Sequence, residues 1–180
     1  MKTRDLIVTA FFAALTVIFS AISLPIPLSP VPFSLAIVAI FLAGALLPKN
    51  QAALAQIVYI LLGVIGLPVF SKMQGGLGVI AGPTGGYIIA YPIMAYIIAL
   101  IIEKARKRIF LAYFLSMICA LALCYMLGTL WLSVETHLTF SAALAAGVIP
   151  FIIPDIIKAV LSSLLAVALY RVLAKRYLSN

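Results

Sequence analysis

Two charged side chains interrupt a strongly apolar stretch of the sequence, IPFIIPDIIKA at residues 149–159. Asp155 and Lys158 are three residues apart, so on a helix they share one face and can form an ion pair. Pro154 fits the first turn of such a helix, where its missing N–H donor costs nothing. Ionisable residues in membrane-spanning helices cost about 2.5–3.5 kcal/mol on insertion scales and usually face a cavity or another helix. The pair is therefore a candidate ligand site.

A structural role is the alternative for this pair. Asp155 and Lys158 could satisfy each other, with Asp155 also stabilised by the helix dipole. Packed apolar residues can often replace a buried, neutralised pair without loss of stability, so a purely structural role explains its presence poorly. We expect instead a small ligand that is polar at one end and carries both a donor and an acceptor or negative group.

A glycine-rich segment, QGGLGVIAGPTGGY at residues 74–87, is the second dense feature. Its glycines let the backbone turn tightly and approach a ligand or a helix closely. At membrane depth such irregular backbone is tolerated only where protein or a water-filled cavity surrounds it, and the alternative is a loop outside the membrane. The candidate ligand contacts of this segment are its paired glycines and its polar side chains: Gln74, Gly75, Gly76, Thr84, Gly85, Gly86 and Tyr87.

The composition is that of a membrane protein. Of the 180 residues, 66% are hydrophobic and 9% are charged, and the mean hydropathy is +1.30. A soluble domain would leave too much of this apolar area facing water. Apolar runs of the length that crosses the hydrocarbon core predict an all-α protein with six transmembrane helices. Their predicted bounds are about 5–23, 33–47, 50–66, 86–103, 109–132 and 154–174.

Two connectors stand out between the predicted helices. LPIPLSPVPF, at residues 24–33, contains prolines at a spacing that no helix interior tolerates, and it predicts a stiff, extended connector. Residues 66–86 form a long irregular link. The first helix follows Lys2 and Arg4, as in a secretory signal peptide, but its length and the apolar segments behind it favour a retained helix.

The basic residues set the predicted orientation. With the N-terminus inside, six crossings put ten of the 12 Lys and Arg residues on one side, as the positive-inside rule requires. Both termini are therefore predicted to be cytoplasmic. The ten residues that set this topology and touch anionic lipid headgroups are Lys2, Arg4, Lys49, Lys104, Arg106, Lys107, Arg108, Arg171, Lys175 and Arg176. The exceptions are Lys72, in the long link, and Lys158.

Several functions are excluded by the arrangement of residues. The net charge of +8 does not indicate nucleic-acid binding, because the basic residues lie between apolar runs and not in one patch with aromatics. No Walker motif is present, so ATP must be bound elsewhere. His137 and Glu135 lie in a short outer connector without a neighbouring ligand or nucleophile, so no metal or catalytic site can be assembled there. The sequence thus predicts no enzyme and no cofactor.

Three motifs together resemble the BioY biotin transporters, the substrate-binding S components of energy-coupling factor (ECF) transporters. They are LPIPLSPVPFS at residues 24–34, GGLGVIAGPTGGY at 75–87 and IPFIIPDIIKA at 149–159, and the resemblance spans nearly the whole chain. The family's D-x-x-K step matches Asp155 and Lys158, and its GPTGGY motif matches Gly82 to Tyr87. At Gln74 the chain departs from the family pattern, which has an asparagine before the paired glycines.

The resemblance implies one transmembrane substrate-binding domain, residues 1–180, in the plasma membrane of a prokaryote. Its ligand would be biotin, captured from outside at high affinity. Its partners would be a coupling transmembrane subunit and two ATPase subunits that power release inward. The coupling subunit would dock on the first helix, where Ala10 and Ala14 form a small-xxx-small step that permits close helix approach.

The chemistry of biotin fits the residues. An ionised Asp155 suits the two N–H donors of the ureido group, and Lys158 suits either the ureido carbonyl or the carboxylate. The alternative function is a stand-alone, ion-coupled permease for biotin or a small carboxylate, in which Asp155 would carry a proton.

Overall fold

The structure, a computed structural model, describes residues 2–27, 29–105 and 109–178. A short antiparallel pair, β1 (Ser23–Leu24) and β2 (Phe33–Ser34), links the first two helices, and 3-10 turns lie at Ser71–Met73 and Ile149–Phe151. The α-helices of the described chain are α1 (Thr3–Ala21), α2 (Ala36–Leu46), α3 (Lys49–Val64), α4 (Leu77–Ala81), α5 (Gly85–Lys104), α6 (Phe110–Thr136), α7 (Phe140–Gly147) and α8 (Ile152–Leu178).

Each of the six predicted spans coincides with a helix, namely α1, α2, α3, α5, α6 and α8. In the described chain, four helical segments are long and apolar enough to cross a membrane: Thr3–Ala21, Gly85–Lys104, Phe110–Thr136 and Phe140–Val172. The helix α2 is apolar but has 11 residues, and α3 has 16. The helical character of the protein is confirmed, while six crossings and cytoplasmic termini stay predictions.

Part of the predicted basic set cannot be placed in this fold. Arg106, Lys107 and Arg108 lie outside the described residues, and so do the side chains of Lys175 and Arg176.

The helix α5 lies at the centre of the bundle, packed against α6, α3 and α2. Its apolar residues are spread around the whole helix, as expected for one surrounded by others. Glycines of the neighbouring helices permit close approach. A Cβ added to Gly44 of α2 would lie 2.7 Å from Ile98 Cβ and 2.8 Å from the Ala95 carbonyl oxygen. A Cβ on Gly128 of α6 would collide with the Tyr87 ring.

The proline-rich connector is not extended as predicted, because its two ends pair with each other. Ser23 lies opposite Ser34, and Leu24 lies opposite Phe33, in the β1–β2 pair. The prolines fall in the loop between the strands, where a missing N–H donor removes no ladder hydrogen bond. The chain returns on itself because α1 and α2 pack side by side. This hairpin carries Phe33 and Ser34 into contact with α8.

The link between α3 and α5 has more local structure than the sequence predicts. Phe70 and Gln74 form an isolated antiparallel bridge across the 3-10 turn. Within this turn, Lys72 and Met73 adopt left-handed backbone angles, with φ of 61° and 56°. The Lys72 N–H donates to Ser23 Oγ at 2.8 Å, which ties the turn to β1.

The sequence does not predict α7, which lies between α6 and the 3-10 turn before α8. Thr139 caps its N-terminus by accepting from the Ala142 N–H at 3.3 Å. The following helix, α8, begins at Ile152, so Pro154 lies in its first turn, as predicted.

Candidate ligand-binding site

Asp155 and Lys158 form the ion pair that their spacing predicts. Lys158 Nζ donates to Asp155 Oδ1 at 2.7 Å. The lysine side chain is 6% exposed and the aspartate side chain is 1% exposed, so both are buried. Buried ions are stable only when pairing and additional hydrogen bonds offset the loss of hydration. The other contacts of each group therefore decide how the pair is held.

Lys158 has two further partners, and both come from β2. Its Nζ donates to the Ser34 carbonyl oxygen at 2.7 Å. The same nitrogen lies 3.9 Å from the centroid of the Phe33 ring, in cation–π geometry. An ammonium group has three N–H donors. The carboxylate, the carbonyl and the ring face give each of them a partner.

Asp155 is held by α6 as well as by Lys158. The Tyr125 hydroxyl donates to Asp155 Oδ2 at 2.8 Å, so each carboxylate oxygen accepts one hydrogen bond from a side chain. Sequence reasoning missed Tyr125, since a tyrosine in an apolar helix carries no spacing signal toward a residue 30 positions away. The pair thus joins α8 to α6 and to the hairpin.

Two neighbouring cavities adjoin these residues. One, which we name the Asp155 cavity, has a volume of about 40 Å³ and is lined in part by Asp155, Lys158 and Tyr125. The other, the Lys72 cavity, has a volume of about 80 Å³ and is lined in part by Lys72. The walls common to both are Val31, Pro32, Ser34, Tyr87 and Tyr91. The two cavities therefore lie side by side, with the hairpin loop and α5 between them.

Aromatic side chains form much of the apolar wall. Tyr59 and Phe70 line the Lys72 cavity and pack edge to face with their ring centroids 5.5 Å apart. Tyr91 lies 6.3 Å from Tyr59 between ring centroids and lines both cavities. The Tyr59 hydroxyl donates to Ser20 Oγ of α1 at 3.0 Å. Apolar and aromatic walls with a few placed polar groups are typical of small-molecule sites.

Three of the predicted polar residues lie at these cavities. Tyr87 is buried, lines both cavities and donates its hydroxyl to the Gly147 carbonyl oxygen at 3.0 Å. Gln74 and Thr84 line the Lys72 cavity. All three therefore lie where the sequence places candidate ligand contacts, at a cavity wall.

The four predicted glycines are absent from the described cavity walls, and each has a structural reason to be glycine: a positive φ at Gly76 and close packing at the other three. Gly76 has φ of 95° and donates its N–H to the Gly63 carbonyl oxygen at 2.7 Å. A Cβ on Gly75 would collide with the Leu67 carbonyl oxygen, one on Gly85 with the Ile80 carbonyl oxygen, and one on Gly86 with Trp131. The Gly85 N–H is already bonded to the Gly82 carbonyl oxygen at 3.0 Å.

Ala10 and Ala14 lie on a different surface, the outward face of α1. Both are exposed, and neither lines a described cavity. Large exposed apolar side chains flank them on the same helix, among them Ile7, Phe11 and Ile18. The face suits contact with lipid or with another helix.

The described part of the chain is an apolar helical bundle with four helical segments long enough to cross a membrane, which indicates a membrane protein. The sequence matches the BioY family over residues 1–175, and the chain belongs to that family. This membership confirms the resemblance carried by the three motifs. It also makes the chain a transport protein without an enzymatic activity.

The relatives extend over nearly the full length of the chain. It is 39% identical to the biotin transporter BioY of Thermotoga maritima over 173 residues, covering 96% of this chain and 99% of the relative. It is 33% identical to the biotin transporter BioY2 of Lactococcus lactis, and the match covers 99% of this chain and 98% of the relative. The crystal structure of the S-component for biotin from an ECF-type ABC transporter superposes with a TM-score of 0.87 at 26% identity, covering 94% of this chain and 92% of that one.

Proposed function

We propose that the chain captures biotin from outside the cell at high affinity, as the S component of an ECF-type transporter in a prokaryotic plasma membrane. A coupling transmembrane subunit and two ATPase subunits would supply the energy for release inward. The observation that carries the proposal is the network of Asp155, Lys158 and Tyr125 beside the Asp155 cavity. The similarity to a biotin S-component structure supports it.

The network matches the ureido group chemically. This group offers two N–H donors and one carbonyl acceptor, and an ionised carboxylate accepts such donors strongly. Each oxygen of Asp155 already accepts one bond, from Lys158 or Tyr125, so the ligand adds to or replaces a bond in an ordered network. The aromatic walls would cover the apolar rings and tail.

Biotin binding to the purified chain in detergent tests this function. We expect saturable binding by titration calorimetry with a Kd below about 1 μM, since capture at high affinity requires it. Absence of saturable binding by the folded wild-type chain contradicts the proposal. If the chain alone in proteoliposomes accumulates biotin when a proton gradient is imposed, it is an ion-coupled permease and needs no ATPase partners.

The proposed topology has six crossings with both termini in the cytoplasm. Lys49 Nζ lies 3.0 Å from Glu103 Oε2, so the start of α3 and the end of α5 meet at the same end of the bundle. The bond from Lys72 to Ser23 joins the long link to the far end of α1. With the N-terminus inside, Lys49 and Lys104 are then cytoplasmic, and Lys72 and His137 are outside.

Cysteine labelling of intact cells tests this topology. The background lacks the native thiols of Cys119, which is exposed, and Cys124, which is buried. We expect an impermeant maleimide to label a cysteine placed at position 72 and not one placed at position 104. Labelling of position 104 alone, or of both, would contradict the orientation.

A further inference from the structure

The charges around Lys158 limit where a negative ligand group can bind. Its ammonium group contacts the Asp155 carboxylate at 2.7 Å, the Ser34 carbonyl oxygen at 2.7 Å and the Phe33 ring. All three N–H donors thus have a partner. A ligand carboxylate at this ammonium would also lie close to Asp155, and two like charges in a poorly solvated site repel each other. The Asp155 cavity therefore suits an uncharged, hydrogen-bonding ligand end.

Lys72 offers a cation without this conflict. It lines the neighbouring Lys72 cavity. The ion pairs among the described residues are Lys49–Glu103 and Lys158–Asp155, and Lys72 takes part in neither of them. Ser71, Gln74 and Thr84 line the same cavity and supply further hydrogen-bonding groups.

The backbone around Lys72 is held in an unusual conformation. Lys72 and Met73 both adopt positive φ, which is unfavourable for side chains other than glycine and persists only where surrounding contacts enforce it. Here the bond from the Lys72 N–H to Ser23 Oγ and the Phe70–Gln74 bridge enforce it. These contacts hold the backbone of Lys72, and its exposed side chain lines the cavity.

We propose that Lys72 binds the carboxylate of the ligand, while Asp155 and Lys158 bind its uncharged hydrogen-bonding end. The ligand then lies across both cavities, with its apolar middle against Tyr87 and Tyr91, which line both. This inference rests on the proposed function, because it assigns the two ends of biotin to the two cavities. It makes the site selective for ligands that carry a free carboxylate at a fixed distance from a ureido group.

The test compares binding of biotin and biotin methyl ester, which lacks the negative charge but keeps the ureido end. Lys72→Met keeps the apolar stem of the side chain and removes its charge, and Lys104→Met, at the end of α5, is the matched control. We expect wild type and Lys104→Met to prefer biotin over the ester by about five- to tenfold, a preference that added salt reduces. Lys72→Met should lose this preference, because it should bind biotin more weakly than wild type does but bind the ester equally well. Lys72→Arg keeps the positive charge and should retain the preference for biotin.

Each result bears on one of the two proposals in a distinct way. If Lys72→Met keeps the preference for biotin, the inference is wrong while the proposed function stands. If Lys72→Met weakens the binding of biotin and of the ester equally, the carboxylate does not bind at Lys72. The same conclusion follows if Lys158→Met, and not Lys72→Met, abolishes the preference for biotin over the ester. If folded wild-type protein binds neither ligand, the proposed function fails and the inference fails with it.

Discussion

The ammonium group of Lys158 combines three kinds of contact within one buried site: a carboxylate, a backbone carbonyl and an aromatic face. A pair of this kind contributes little net stability, but removal of one partner leaves an uncompensated charge. Tyr125 adds a hydrogen bond to the second oxygen of Asp155. These contacts orient the carboxylate before a ligand arrives, which reduces the ordering cost of binding.

Replacement of either charged residue should therefore weaken biotin binding. Asp155→Asn keeps the shape but adds a donor and leaves Lys158 without its counter-ion. The lost charge-assisted hydrogen bond should cost about 1.5–3 kcal/mol, or roughly ten- to a hundredfold in affinity. We expect a similar loss for Lys158→Met, measured by calorimetric titration in detergent.

The double variant separates stability from binding. Asp155→Asn with Lys158→Met leaves no uncompensated charge, so its ligand-free melting temperature should exceed that of either single variant. Its affinity for biotin should remain low. If both single variants bind biotin as tightly as wild type, the pair is structural only.

At the scale of elements, the paired glycines at the start of α5, Gly85 and Gly86, act in helix packing. The start of α5 lies against α4 and α6 so closely that a Cβ on Gly85 or Gly86 has no space. Gly78 in α4 has no atom within 4 Å of an added Cβ and serves as a matched control. The paired glycines thus affect the site by fixing the start of the helix that carries Tyr87.

Alanine substitutions test this packing role. Gly86→Ala forces its methyl group into Trp131 and should lower the free energy of unfolding by about 1–3 kcal/mol. Gly78→Ala should leave the free energy of unfolding unchanged or raise it by up to about 1 kcal/mol, because alanine favours a helix. Thermal unfolding in detergent measures both. A Gly86→Ala protein that melts as wild type does but loses biotin binding would assign this glycine to the ligand instead.

At the scale of the whole molecule, the cavities and the small-residue face of α1 are separate surfaces. Tyr59 lines the Lys72 cavity and bonds to Ser20 on α1, while Ala10 and Ala14 lie exposed on the same helix. One helix therefore contacts the candidate site on one side and is free for a partner on the other. Substitutions on the exposed face should affect assembly without affecting capture of the ligand.

A bulky residue on this face should prevent docking of the proposed coupling subunit. Ala14→Trp should abolish co-purification with that subunit and the ATPases, because it blocks close helix approach. Biotin binding by the isolated chain should stay near wild type. Leu115→Trp on the exposed face of α6 is the control and should assemble normally. Loss of binding with intact assembly would place Ala14 at the pocket.

The sequence by itself determined the helices and the ion pair, because both depend on local spacing. Apolar runs located the six principal helices within a few residues, and a three-residue step on one helix brings Asp155 and Lys158 together wherever that helix packs. The motifs also determined the family, since they occur together in one order along the chain.

Only the tertiary structure decided what surrounds the pair. Ser34 lies 124 positions from Lys158 in the chain, and Tyr125 comes from another helix. No periodicity within one element encodes such contacts, because they follow from how the hairpin, α6 and α8 pack against each other. For the same reason, packing separated Gly75, Gly85 and Gly86, which have no space for a side chain, from Tyr87, Thr84 and Gln74 at the cavities.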